Sequence, residues 1–422
     1  MHHYRALATS VAMFALLIAG CSSGTPAASG KPTAAAPTPS HSYTVVSTGQ
    51  TKCYNNDSAI DCPKHGEAFY GQDAQFSTNA ASYTDNGDGT VTDNNTGLMW
   101  VQAMSDKVSY TDAISGAAKQ TVGGHSDWRV PTIKELYSLI NFNGTDISAS
   151  TSGEVVPFID STVFGFSYPD TSNGGRPINS QWVTSTQYVS TVFNGDKCFF
   201  GVNFVDGRIK CYPEAARQGS DGKDYYVRYV RDAGSSQKST YGANSFAATS
   251  SGTVKDSSTG LTWQQKDSGK GMNWQSALSY CSALTLDGKD DWRLPNAKEL
   301  QSIVDYTRSP ATTDSPAINA VFGSTAITNE AGKTDWGFYW TSTTHISTVN
   351  VSDAVYIAFG TGMGYMQEYG GWIDVHGAGS QRSDPKVATK VEASAAPGGN
   401  ASQQGAQHDA IRTLNMVRCV RG

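Results

Sequence analysis

The sequence predicts an α+β protein in which one loop-rich fold is written twice in tandem. Residues 127–136, Asp-Trp-Arg-Val-Pro-Thr-Ile-Lys-Glu-Leu, return 164 residues later as Asp-Trp-Arg-Leu-Pro-Asn-Ala-Lys-Glu-Leu at 291–300. Upstream, Thr90-Val91-Thr92-Asp93 with Thr96-Gly97-Leu98-Met99-Trp100 returns 163 residues later as Thr253-Val254-Lys255-Asp256 with Thr259-Gly260-Leu261-Thr262-Trp263. Solenoid units run to roughly 20–50 residues, so this period marks a duplicated domain. Within each copy two early helical patterns precede a run of short strands, the order expected of an α+β domain. Only 16% of the chain is charged while Gly (43), Tyr (20) and Trp (9) abound, which suits an extracytoplasmic β-containing protein better than a helical bundle.

Residues 1–20 read as a signal peptide: a basic stretch to Arg5, then an apolar run from Ala6 to Ala19 that is too short for a membrane span. The run ends in Leu17-Ile18-Ala19-Gly20-Cys21, which resembles the bacterial lipoprotein box. The resemblance implies an acylated N-terminal Cys21, and the non-acidic Ser22 implies the outer membrane, with either leaflet face open. Several acyl chains, at about 0.8 kcal/mol per buried methylene, give stable anchoring. Residues 21–42 form the lipidated tether, rich in Ser, Ala, Thr and Pro and expected to be disordered. Its reach is about 25 Å if flexible and roughly 65 Å if polyproline-like.

The first copy is assigned to 43–232, including an N-terminal disulfide extension, and the second to 244–422, with Ala233–Ala243 as linker. Tyr83 to Trp100 reads as a hairpin with Asn86-Gly87-Asp88-Gly89 as its turn. A helix follows, capped by Ser109 with Asp112, its face built from Tyr110, Ala113, Ile114 and Ala117. Copy two repeats that face with Trp274, Ala277, Leu278 and Cys281 behind Asn273. Trp-Arg-x-Pro is extended, because proline disfavours the helical region for its predecessor. A second helix starts at once, with Thr132 and Glu135, or Asn296 and Glu299, as capping boxes. Ile133, Leu136 and Ile140, and Ala297, Leu300 and Val304, form its inner face. Strands follow at 182–186 against 339–343 and at 202–204 against 357–359. The closing strand, 226–231, returns at 416–421, an offset of 190, so copy two carries an insertion near 363–411 whose second half, 388–408, reads as disordered.

Beyond Cys21, six cysteines remain, an even number in an oxidising compartment, with fifteen possible pairings. Proximity suggests Cys53–Cys62 and Cys198–Cys211, leaving Cys281–Cys419. Copy one has Ala117 and Tyr229 at the two positions of the last pair, so both partners are absent together, as bonded residues would be. Closing so long a loop contributes at most about 4–5 kcal/mol. A two-residue hairpin turn at Asp206-Gly207 would set Val202, not Cys198, opposite Cys211. Either the turn is longer or Cys198 lies outside the strand.

Without Arg5 the formal net charge is −7, so no general attraction to nucleic acid is expected. Asp85-Asn86-Gly87-Asp88-Gly89 with Asp93 could hold calcium, but copy two keeps only Asp256, which favours a turn and no metal. Glu-Pro-Asn, Gln-Pro-Asp and Trp-Asn-Asp, the calcium–sugar motifs of C-type lectins, are absent. The one Gly-x-Ser-x-Gly, at 20–24, straddles the lipidation site; no P-loop and no zinc-spaced His pair occur, so neither a catalytic residue nor a cofactor is expected. Trp128, Arg129 and Glu135, with Trp292, Arg293 and Glu299, read as structural; Arg129 and Arg293 could contact an anion, but pairing with a carboxylate or buried carbonyl is favoured, since both copies hold the arginine between Trp and Pro. Arg228, Arg231, Arg418 and Arg421 alternate on the closing strands, for salt bridges or a glycan groove. Tyr365, Tyr369, Trp372 and His376 are the ligand-binding candidates, aromatic and glycine-flanked in a loop insertion. The competing reading is that they cover the insertion's own small core.

The series Gly-Asp-Gly-Thr-Val…Thr-Gly-Leu-x-Trp, Asp-Trp-Arg-x-Pro-x-x-x-Glu-Leu, x-Thr-Ser-Thr and Val-Arg-x-Val-Arg resembles the C-terminal domain family of the Legionella collagen-like adhesin, over about 83–232 and 246–422. Trp-Arg-Leu-Pro before a capped helix is also similar to the formylglycine-generating-enzyme and C-type-lectin-like group, in which a first-helix Cys bonded to a last-strand Cys is a hallmark. The resemblance implies two C-type-lectin-like domains and a surface-exposed binding role, with sulfated-glycan binding attributed to the adhesin itself. No collagen-like run accompanies the match, and the motifs occupy scaffold positions. The expectation is a non-enzymatic outer-membrane lipoprotein, its partners membrane lipid through the acyl anchor and a glycan or an envelope protein. The alternatives are a scaffold of an envelope complex and, remotely, an enzyme of the formylglycine-generating type.

Overall fold

The computed structural model describes residues 42–172, 174–215, 223–234, 238–388 and 408–422. Cys21 and most of the 388–408 stretch lie outside them. The described residues form a single compact unit, so both copies share one body.

Each copy begins and ends in the same four-stranded antiparallel sheet. In copy one Tyr83–Asp85, Thr90–Asp93 and Leu98–Val101 are joined by Val230–Asp232; in copy two Phe246–Ala248, Thr253–Asp256 and Thr262–Gln264 are joined by Val420–Arg421. Register is conserved: Val91 faces Trp100, which faces Val230, and Val254 faces Trp263, which faces Val420. These residues are fully buried, so the inward side of the hairpin fixes the pairing.

Helices α1 (Tyr110–Gly116), α2 (Ile133–Ser138), α3 (Trp274–Ser282) and α4 (Ala297–Ser302) lie where the spacing predicts, followed by a one-turn α5 (Pro310–Thr313). Thr132 and Glu135, and Asn296 and Glu299, form full capping boxes. At α1 the box is half made: Ser109 accepts the Asp112 N–H, while the Asp112 carboxylate takes the Ser109 hydroxyl and not its backbone N–H. Ile114, expected on the inner face, is 41% exposed, whereas its counterpart Leu278 is fully buried. The reason lies outside the helix: the N-terminal extension covers Leu278, with Gly71 against its side chain, and among the described residues nothing comparable covers Ile114.

The copies fuse through one six-stranded sheet, ordered Phe338–His345, Asp353–Ala358, Gln381–Pro385, Arg208–Pro213, Cys198–Asn203, Gln181–Trp182. Its halves meet at Gln381 opposite Ile209. Val202 faces Ile209 as Ile357 faces Gln381, so the two meeting residues are equivalent, as on a two-fold axis. Gln381–Pro385 is thus a core strand, and the insertion expected near 363–411 divides around it. Its first part lies within 359–379, the counterpart of the four-residue turn Phe204–Gly207 of copy one.

The motif lysines make this junction reciprocal. Lys134 Nζ donates to the Ser302 carbonyl (2.6 Å) at the end of α4, and Lys298 Nζ to the Ser138 carbonyl (2.7 Å) at the end of α2. Each cation meets the negative end of the opposite copy's helix. Burial lowers the ammonium pKa values to about 8 for Lys134 and about 7 for Lys298, against the pull of Asp305 and Asp256, and of Asp93 and Asp73.

The three disulfides are Cys53–Cys62, Cys198–Cys211 and Cys281–Cys419. The turn before Cys211 is longer than Asp206-Gly207 alone. Asn203 pairs with Arg208, and Cys198 sits diagonally from Cys211, with Cα atoms 5.4 Å apart.

Candidate functional site

Among the four ligand candidates, three share a surface hairpin. Met363–Met366 pairs with Gly371–Asp374, and His408–Asp409 adds a third strand. Tyr365 lies directly opposite Trp372, the rings edge to face with centroids 5.6 Å apart. Both rings, and that of Tyr369 in the turn, are partly exposed. Gly370 and Gly371, at φ 75° and 155°, give the turn a backbone path that side chains resist. Met363 and Met366 are buried beneath, and Trp372 leans on the second copy's core.

His376 is the exception: it is 3% exposed, and its Nε2 lies 2.7 Å from Asp409 Oδ1. Burial lowers its pKa to about 4, so the ring is neutral at neutral pH. It stands at the foot of the hairpin, not on its ligand-accessible surface.

That foot is clamped to copy one. Asp374 accepts the Tyr188 hydroxyl (2.8 Å) and its carbonyl accepts the Phe193 N–H; the His376 carbonyl accepts the Cys211 N–H (3.0 Å). A Cβ at Gly377 would come 3.0 Å from the Phe200 ring, so only glycine allows this close approach. Burial raises the Asp374 carboxyl to about 7, against the hydrogen bonds it accepts from Gly377 and Tyr188.

Beside the clamp lies a charged cluster that sequence reading missed. Arg208 Nη1 is 2.8 Å from Asp146, which also meets His345 Nε2 at 3.2 Å; Lys210 is 3.8 Å from Asp206, and Arg382 pairs with Asp409. Burial, with the neighbouring Arg382, lowers the Lys210 ammonium pKa to about 7. Arg208, Lys210 and Arg382 lie on the two strands where the halves of the fused sheet meet, so their surroundings come from both copies.

The motif residues are structural. Trp128 and Trp292 each donate an indole N–H to a loop carbonyl, of Val122 and Leu286 (3.2 Å both). Arg129 and Arg293 form two-pronged pairs with Glu135 and Glu299, the same carboxylates that cap the helices. The closing-strand arginines divide by side. Arg231 and Arg421 pair with Asp127 and Asp291 at the surface. Arg228 and Arg418 are fully buried and line no groove. Arg228 donates to the carbonyls of Val101, Gln102 and Gly165 between the rings of Phe164 and Trp182. Arg418 repeats this with Gln264, Gln265 and Gly323 between Phe322 and Tyr339. Burial lowers Arg228 to about 9, still charged at neutral pH.

In the Asp85–Asp93 loop each carboxylate is engaged in the turn: Asp85 accepts Gly87 N–H, Asp88 accepts Thr90, and Asp93 accepts Asn95 and Thr96. Among the described residues no group of three His, Cys, Asp or Glu could hold a metal ion, and no helix is long and apolar enough to cross a membrane.

A family model described as the Lcl C-terminal domain matches residues 89–231 and again 252–373, together more than half of the chain. No curated protein and no solved structure matches. The double match follows the two copies traced above, and the chain belongs to the Lcl C-terminal domain family, as two tandem members in one polypeptide.

Proposed function

We propose that this protein is a non-enzymatic lipoprotein of the cell envelope that binds a glycan through the copy-two hairpin. Membership of the Lcl C-terminal domain family suggests an adhesin-like module. The observation that carries the finer reading is the partly exposed edge-to-face pair of Tyr365 and Trp372, with Tyr369 at the turn beside it. Aromatic faces held rigid at a surface suit the apolar faces of sugar rings and lose little entropy on binding. The foot of the hairpin, clamped to the sheet of the other copy, supplies the rigidity. The anchor would be an acylated Cys21 with residues 22–42 as tether. The six cysteines from Cys53 to Cys419 are consumed in disulfides, which argues against thiol chemistry of the formylglycine-generating kind. A lectin-like ancestry for the fold belongs to the same proposal.

The test is a glycan array probed with the protein and with Tyr365→Ala and Tyr369→Ala variants. The reading expects a defined set of glycans bound, with each substitution weakening binding by about tenfold, in keeping with 1–2 kcal/mol per aromatic contact. A blank array, together with co-purification of an envelope protein, would replace it with the scaffold reading.

A further inference from the structure

The copies differ most in what covers them. Residues 48–78 leave and rejoin the body at the Ser47 N–H to Asn79 carbonyl bond (2.7 Å) and form a flap laid over copy two. Asp73 Oδ2 accepts the hydroxyls of Thr343 (2.5 Å) and Thr48 (2.7 Å). The Gln50 amide pairs with both the N–H and the carbonyl of Thr344, each at 2.9 Å, as a strand neighbour would. The Phe76 ring lies 5.5 Å from the Arg293 guanidinium, Phe69 meets Trp274, and Gly71 meets Leu278.

Copy one has the same surface, and among the described residues no flap covers it. Thr186 corresponds to Thr343: its hydroxyl accepts the Ile133 N–H at 3.0 Å, as that of Thr343 accepts the Ala297 N–H. Gln187 faces Phe199 as Thr344 faces Ala354, so Gln187 is the counterpart of the residue that Gln50 pairs with. Ser185 and Gln187 are exposed, where Ser342 and Thr344 are buried. The Arg129 side chain is 39% exposed against 10% for Arg293, and Ile114 is 41% exposed where Leu278 is closed off.

We propose that this face of copy one is a docking groove for an extended segment of another protein. The segment carries a carboxylate toward Thr186 and Arg129, and an aromatic ring three residues later over Arg129, as Asp73 and Phe76 do in copy two. The backbone of Gln187 offers it edge-strand pairing, the usual source of affinity for extended peptides. One position separates this occupant from the chain's own flap. Pro385 and Pro213 are equivalent, and the next residue is Lys386 in copy two but Glu214 in copy one. Lys386 donates to the Asn55 carbonyl (2.8 Å); Glu214, whose carboxylate accepts the Gln187 amide N–H at 2.7 Å, puts a negative charge at that place and suits a basic group from the partner.

The probe is a fluorescent peptide spanning residues 47–79, closed by its disulfide and carrying Asn55→Lys, titrated against the full chain. Saturable binding is expected, weakened about tenfold by Asp73→Asn in the peptide, the loss typical of one charge-assisted hydrogen bond. Ser185→Trp in the protein should abolish it by filling the groove. Should that variant not fold, Ile114→Asp, at an exposed helix position, should weaken binding with an unchanged melting midpoint. Absence of saturable binding, or binding indifferent to both variants, overturns the proposal. So does self-association of the chain that Ser185→Trp removes, which would make a second copy the occupant.

Discussion

In copy two the first helix and the closing strand are tied by Cys281–Cys419; in copy one the same positions hold Ala117 and Tyr229. The Tyr229 hydroxyl reaches back across the helix and donates to the Ala113 carbonyl at 2.9 Å, tight against Gly116. A covalent tie and a hydrogen-bonded ring thus hold the same joint. The covalent tie acts chiefly by restricting the unfolded chain, the ring by burying area and satisfying a carbonyl in the folded one. Copy two also has its motif face sealed by the flap, while copy one leaves it open. What stays identical in both is the buried arginine on the closing strand and the Arg–Glu pair at the second helix, so those define the fold and the ties are interchangeable.

The largest effect should come from the part the copies share. Arg228→Met and Arg418→Met should each cost about 3–5 kcal/mol in chemical denaturation, because buried carbonyls lose a charged donor. Near-equal losses support equivalent roles; a loss confined to one copy breaks the comparison. Removing the tie with Cys281→Ala and Cys419→Ala together should cost about 2–4 kcal/mol. Its counterpart, Tyr229→Phe, should cost about 1 kcal/mol, the worth of one net hydrogen bond. Between those two lies Glu299→Gln, at about 2–3 kcal/mol for a buried pair, against about 1 kcal/mol for Glu135→Gln, whose arginine is partly in water. Equal costs at the two glutamates would mean that the flap does not matter to the pair beneath it.

A further expected effect is a slope with pH. Asp374 titrates near 7 when folded and near the ordinary carboxyl value of 3.8 when unfolded. Between those pH values the folded protein holds a proton that the unfolded chain releases. Its contribution is therefore complete at acid pH and lost as pH rises toward 7. Asp374→Asn should flatten that part of the stability profile, measured as melting midpoint between pH 4 and 7. An unchanged slope would show that this carboxyl is not the group that titrates there.

Much of the local structure was legible because its causes are local. Capping boxes at Thr132 and Asn296 place their own helix starts, and an internal duplication exposes Cys281 and Cys419 as partners because both vanish together. The Cys198 register was ambiguous, since a turn of two or four residues around Asp206-Gly207 shifts every pair by two. Ile114 was misplaced because helical spacing identifies a face but not whether another segment covers it. His376, a ligand candidate with core packing as the competing reading, is buried because the charges that surround it, Asp409 and Arg382, are distant in sequence or sit on a strand of the fused sheet.

The duplication, the caps that start α1 to α4 and the closing strand of each copy are legible in the chain alone. Those follow from short-range hydrogen bonding and from the period of apolar residues. Long-range packing alone sets the sheet that the copies share, the reach of Lys134 and Lys298 to the ends of α4 and α2, and the flap that seals copy two. Contacts between segments more than a hundred residues apart leave no period in the chain, because packing sets their partners and spacing does not.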